Sequence, residues 1–273
     1  IQYFKNTCFY TTKNCTHIKY INILIMSAKY EILKVRDKCD NYYTEVPELF
    51  NIPFRILING KSQLSGKTTI ILNLLANPDF GYDKLFKGEN IYIISNNKLD
   101  NKLKMMADRL EIPDDHCVTY DESYLETLYE QLEDEFMEET EGNGKPANRL
   151  IVFDDCGYSN SLKNKQAGII SRLICNGRHI NLSQIFTSQK YTQCSTTLRT
   201  NITGAILFGT SMKEVDLIAE DMNYFTNKNQ FIKMFREATK TARSFLVVNY
   251  SKGLSAETLY FNSDFKLITA KDE

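Results

Sequence analysis

The feature that most constrains this chain is a series of short apolar runs that do not alternate with polar residues. Phe54–Ile58, Ile91–Ile94, Leu150–Phe153 and Ala205–Phe208 are continuous or nearly so, and Gln184–Thr187 is a fifth, more polar run. A strand with one wet face alternates with period two, whereas a strand covered on both faces reads as an unbroken apolar stretch. Helix-period segments separate the runs, at Thr68–Ala76, Asn97–Leu110, 121–141 and 163–176. Strands alternating with helices of this length predict an α/β fold, a mainly parallel central sheet flanked by helices. Ser244–Tyr250 and Thr258–Phe261 read as a closing hairpin or edge pair. In 121–141, leucines and aromatics at 125, 128, 129, 132 and 136 form a helical stripe. The same stretch carries ten carboxylates and no base, which reads as the solvated face of that helix.

Composition narrows the setting. With 273 residues and 42% hydrophobic content, the chain can bury a core without staples. Its 33 basic and 34 acidic residues leave a net charge of −1, so a polyanion-binding surface must be local. Seven scattered cysteines with no CxxC pair argue for a reducing compartment, and against a disulfide framework or zinc ribbon. Residues 52–273 read as one continuous domain and 1–51 as an amino-terminal arm. The chain opens on Ile1, and Met26 is an alternative start, so the place of residues 1–25 in the native protein stays open. Ile18–Met26 is apolar but short, interrupted by Lys19 and Asn22, and reads as neither membrane span nor signal peptide. Cys8, Cys15 and His17 lack a fourth ligand at a suitable spacing and read as an irregular segment.

The first run leads through Gly60-Lys-Ser-Gln-Leu-Ser65-Gly66-Lys67-Thr68-Thr69 into its helix. A loop feeding a helix amino terminus offers free N–H groups and the positive end of the helix dipole to phosphate oxygens. Gly60, Ser65, Gly66, Lys67, Thr68 and Thr69 are therefore expected to bind a nucleotide. In that set Gly66 allows close backbone approach, Lys67 supplies charge to the β and γ phosphates, and the Thr68 hydroxyl ligates Mg²⁺. One departure stands out: the strict spacing wants its first glycine at 61, where Lys61 stands, with Gly60 one residue early.

A phosphate loop needs a carboxylate from a second strand. Leu150-Ile-Val-Phe153-Asp154-Asp155 fits, with Asp154 expected on the Mg²⁺ side and Asp155 as the base that polarises water. The run ending Phe186-Thr187-Ser188 places Gln189 at the carboxyl edge of a parallel sheet, where an amide can sense the γ-phosphate or orient water. Residues 156–213 carry Lys163, Lys165, Arg172, Arg178, Lys190, Arg199 and Lys213 and no acid, a +7 segment that reads as a phosphate-binding surface. Sparse aromatics there favour contact with the backbone of double-stranded DNA over stacking on single strands. Arg178 and Arg199, expected near the nucleotide edge, are each candidates to reach a neighbouring subunit's γ-phosphate.

Taken together, Gly66-Lys-Thr-Thr69, Ile151-Val-Phe-Asp-Asp155, Asn176-Gly-Arg-His179, Phe186-Thr-Ser-Gln189 and Leu198-Arg-Thr-Asn201 resemble the FtsK–HerA superfamily of DNA-pumping ATPases. Within it they are most similar to the genome-packaging ATPases of large eukaryotic DNA viruses and virophages, over residues 52–250. The resemblance implies a RecA-like core, ATP and Mg²⁺ as ligands, a homo-oligomeric ring, and double-stranded DNA moved into a preformed capsid. It further implies a capsid or portal protein as partner, and a place in host cytoplasm, viral factory or virion. By the same resemblance Asp155 takes the position of the catalytic acid, Gln189 that of the sensor amide, and Arg178 or Arg199 that of the arginine acting in trans. Two rivals stay open: a phosphate-loop nucleoside or nucleotide kinase, and a non-motor, nucleotide-dependent binding module on a capsid.

Overall fold

The computed structural model describes residues 42–47, 49–62, 65–96, 101–155 and 168–268, which belong to a compact unit, Asp37–Glu273. The segment at Cys8, Cys15 and His17, the start of the helix expected from Asn97, and Lys163 and Lys165 lie outside the described residues.

Each apolar run is a strand. Arg55–Asn59 is β1, Ile91–Ser95 β2, Arg149–Asp154 β4, Leu182–Ser188 β5 and Gly204–Phe208 β6; the last four are buried at every position. A two-residue β3, Cys117–Val118, completes a parallel set, and Phe245–Asn249 (β7) and Tyr260–Phe261 (β8) pair antiparallel at the edge. The order across the sheet is β3-β2-β4-β5-β1-β6-β7-β8. β5 therefore lies between the strand that leads into the phosphate loop and the strand that ends in two acids.

Period two within the strands sorts their side chains onto two covered faces. Ile56, Ile58, Leu150, Val152 and Ile185 pack with Leu74 of α1 (Lys67–Ala76) and Met106 of α2 (Asn101–Leu110). Leu57, Ile151, Phe153 and Phe186 pack on the other face. There they meet α3 (Glu122–Glu139), α4 (Ile169–Asn176), α6 (Met212–Met222) and α7 (Lys228–Ala238). Two short helices, α5 (Thr196–Asn201) and α8 (Ala256–Leu259), complete the described set. Val46, Leu49 and Phe50, on the amino-terminal side of residue 52, also enter the core facing α1. Among the described residues no helix is long and apolar enough to cross a membrane.

The stripe expected on α3 is buried at Leu125, Leu128, Tyr129, Leu132 and Phe136. Its acids, however, are not simply a solvated face. Arg149 at the start of β4 is 1% exposed, and its guanidinium reaches Glu135 at 3.0 Å and Glu139 at 2.8 Å. Farther along, Arg172 of α4 meets Glu133 at 2.9 Å and lies 4.3 Å from the centre of the Tyr129 ring. Helix α3 is thus tied by two arginines to the strand and helix beside it, pairings between residues distant in sequence that local charge counting does not show. A buried guanidinium stripped of its partners is costly. The double substitution Glu135→Gln/Glu139→Gln is expected to destabilise the fold by about 3–5 kcal/mol, read as a lower midpoint in urea unfolding. A shift below about 1 kcal/mol would mean that the amide oxygens at 135 and 139 satisfy Arg149 nearly as well as the carboxylates do.

Candidate active site

The loop between β1 and α1 is shaped by two glycines. Gly60 continues the β1–β5 ladder, donating its N–H to Ser188 O at 3.0 Å. A Cβ on Gly60 would lie 2.7 Å from Ser65 Cβ and 2.9 Å from Phe208, so only glycine fits where the chain turns. The residue one place early in the motif is therefore a close-approach glycine fixed by packing. Gly66 caps α1 at φ 88°, a left-handed conformation that glycine adopts without steric cost. No side chain caps this helix, so the first-turn N–H groups of Lys67, Thr68 and Thr69 face the loop with no capping side chain. Ser65 closes the loop by donating its hydroxyl to Lys61 O at 2.7 Å. Lys67 Nζ donates to Gly60 O at 2.8 Å. Burial lowers the Lys67 pKa, and Asp155 and then Asp154 oppose that shift, which sets this ammonium within electrostatic reach of both acids.

The two acids end β4. Parity along the strand turns Asp154 to the same face as Val152, the face covered by α1. Asp155 follows at φ 51°, a left-handed conformation costing a non-glycine residue roughly 1 kcal/mol, and one that Asp tolerates better than most. The end of β5 holds this turn. The Thr187 hydroxyl donates to Asp154 Oδ1 at 2.9 Å and accepts the Asp155 N–H at 2.8 Å. Two residues on, Gln189 Nε2 donates to both Asp155 carboxylate oxygens, at 2.9 and 2.8 Å. Lys67, Asp154, Asp155 and Gln189 are thus gathered at one carboxyl edge, because β5 runs between β1 and β4. Thr187 carries no role of its own in the sequence reading, although it stands within the Phe186-Thr-Ser-Gln189 motif at the end of the most polar strand.

The two arginines are placed differently from expectation. Arg178 precedes β5, in the 3-10 turn Gly177–Ile180, and so stands exposed at the amino edge of the sheet, opposite the phosphate loop. Its charge acts on Arg55, at the start of β1, whose pKa is lowered first by burial and then by Arg178. Arg199 is an intramolecular residue: it pairs with Asp221 of α6 and sits 5.5 Å from the centre of the Tyr191 ring, its side chain 17% exposed. Tyr191 in turn donates its hydroxyl to Asp221 at 2.7 Å, and Glu214 accepts its backbone N–H. Arg178 thus stands at the amino edge of its own chain, whereas Arg199 is engaged by Asp221 and Tyr191. For Arg178 the order of the chain carries the correction, since a residue just before a parallel strand sits at its amino end; the pairing of Arg199 with Asp221 has no such local signal.

The +7 segment is also dispersed. Arg172 and Arg199 are ion-paired, while Lys190 and Lys213 are exposed near the carboxyl edge and Arg178 at the amino edge. The described bases therefore do not form one surface.

A phosphate loop on one strand, paired acids on another and a polar strand end between them belong to the RecA-like class of P-loop NTPases, a nucleotide-binding fold. The chain belongs to the poxvirus A32 protein family, whose model matches residues 42–270. Membership places it among the viral genome-packaging ATPases of the FtsK–HerA type, as the motif resemblance implied.

Several solved structures align with the chain. The genome-packaging NTPase B204 of Sulfolobus turreted icosahedral virus 2, in complex with AMPPCP, is 15% identical, covering 72% of this chain and 93% of that one at a TM-score of 0.49. ATPases 2 and 3 of EssC from Geobacillus thermodenitrificans are 16% identical over 56% of this chain and 32% of theirs, at a TM-score of 0.42. The amino-terminal domain of zonular occludens toxin from Neisseria meningitidis is 15% identical over 59% and 78%, at a TM-score of 0.35. No curated protein matches the chain.

Proposed function

We propose that this chain is the subunit of a ring that hydrolyses ATP to drive double-stranded DNA into a capsid. The observation that carries the reading is the junction of Lys67, Asp154, Asp155 and Gln189 at one sheet edge. Gly60, Ser65 and Gly66 shape the loop, and the amide groups of Lys67, Thr68 and Thr69 with the Lys67 ammonium bind the phosphates. The donor set suits Mg²⁺, which Thr68 would hold directly and Asp154 through water, and whose charge helps neutralise the phosphate oxygens.

Asp155 accepts a proton from the attacking water as its oxygen bonds to the γ-phosphorus and the bond to the β-phosphate oxygen breaks. Gln189 holds the Asp155 carboxylate from the neighbouring strand and so reports the state of β5 to the base. An arginine from the adjacent subunit would stabilise charge on the transferred group. The exposure of Arg178, remote from its own site, favours it for this role, whereas Arg199 would first have to break from Asp221. Residues 52–273 are the ATPase domain in this reading, and a capsid or portal protein is its docking partner.

The test is steady-state ATP hydrolysis by the full chain with and without long double-stranded DNA. Hydrolysis is expected to rise several-fold with DNA, and the rise to fade between about 50 and 200 mM salt as phosphate contacts are screened. A rate indifferent to DNA would leave an ATPase of this family and remove the coupling of hydrolysis to DNA.

A further inference from the structure

Thr187 is 3% exposed and sits one residue before the end of β5, on the face that also carries Asp154. A hydroxyl has one proton and two lone pairs. This one gives its proton to Asp154 Oδ1 at 2.9 Å and takes the Asp155 N–H at 2.8 Å. A single oxygen therefore fixes the carboxylate of one acid and the peptide plane of the next. Its own position is rigid: Thr is restricted at χ1, and the preceding Phe186 stacks on Phe153 of β4 at 4.8 Å with rings 3° from parallel.

The consequence reaches both acids. Asp154 is oriented by a donor on a buried, β-branched side chain. Asp155 is held in its left-handed turn by a partner for an N–H that β4 no longer pairs. With that turn fixed, Gln189 meets both oxygens of Asp155.

We infer that Thr187 is a positioning residue for hydrolysis, coupling the metal-side acid to the catalytic acid through one hydroxyl. The inference rests on the roles proposed above for Asp154 and Asp155. It differs from them in placing the coupling on β5, whose Thr187 hydroxyl touches both acids.

The experiment compares the full chain with Thr187→Val, which keeps the shape and removes the hydroxyl, and Thr187→Ser, which keeps the hydroxyl. Binding of a fluorescent ATP analogue is titrated against Mg²⁺ and repeated in EDTA, alongside kcat for ATP and a thermal melt. The valine variant is expected to bind the analogue in EDTA within about twofold of wild type, since the phosphate loop is untouched. It is expected to need about tenfold more Mg²⁺ for half-maximal binding, and to lose about tenfold or more in kcat at saturating Mg²⁺. Serine is expected to restore both to within about threefold. A valine variant with the wild-type Mg²⁺ requirement and kcat overturns the inference, as does a serine variant that falls as far as valine. If the valine chain does not fold, Thr187→Ala serves the same comparison. Wild-type binding that ignores Mg²⁺ would instead remove the role of Asp154, and this inference with it.

Discussion

Lys67→Ala is expected to abolish ATP hydrolysis, with kcat/KM down by about 10³-fold or more, while the melting temperature changes by only a few degrees. Lys67 opens α1, and its ammonium is held on Gly60 O at 2.8 Å across the loop it closes. Alanine removes the charge that would meet the β and γ phosphates and leaves the backbone cradle intact. Part of the affinity for nucleotide should therefore survive, because helix N–H groups bind phosphate without the side chain. The fold should survive too, since among the described residues Lys67 makes a single side-chain hydrogen bond, and it lies outside both apolar cores. Steady-state hydrolysis and a thermal melt on the same preparation check both halves. Activity within tenfold of wild type would mean that the loop is a basic helix cap and no phosphate site.

Asp155→Asn is expected to lower kcat by about 10²–10⁴-fold with nucleotide affinity unchanged. Asparagine is nearly the same shape, tolerates the left-handed turn at φ 51°, and still offers an oxygen to Gln189 Nε2. What it lacks is the capacity to take a proton. Asp154→Asn should differ in kind, raising the Mg²⁺ requirement, because that acid faces the metal side and is tied to Thr187. Single-turnover hydrolysis with separate measurement of nucleotide binding distinguishes the two. Equal loss of binding and turnover in Asp155→Asn would remove it as the base.

Much of this architecture is legible before any coordinates. Continuous apolar runs at Ile91–Ile94 and Leu150–Phe153 report burial on both faces, and both are fully buried strands. The stripe at 125, 128, 129, 132 and 136 reports one buried face of a helix. Other elements carried a signal that was weaker or interrupted. Val215, Ile218, Ala219 and Met222 have the spacing of helix α6, and Phe231 and Phe235 that of α7, but charged and polar residues interleave with the apolar ones in both segments. β3 has two residues, too few for any period.

The site divides in the same way. Gly66, Lys67, Thr68 and the acids at 154 and 155 declare themselves by spacing, because a loop feeding a helix and acids ending a strand are local arrangements. Sequence by itself determined the longer strands, helices α1 to α4 and the phosphate loop, since hydrophobic period and turn chemistry act over a few residues. Only the tertiary structure decided that β5 runs between β1 and β4, which brings Thr187 and Gln189 to the two acids. It also decided that Arg149, Arg172 and Arg199 are held by Glu135, Glu133 and Asp221, and that Arg178 stands at the far edge. Apolar period records that a residue is buried; which neighbour it meets is set by pairing between segments tens of residues apart, where the gain lies in the contact and not in either segment alone.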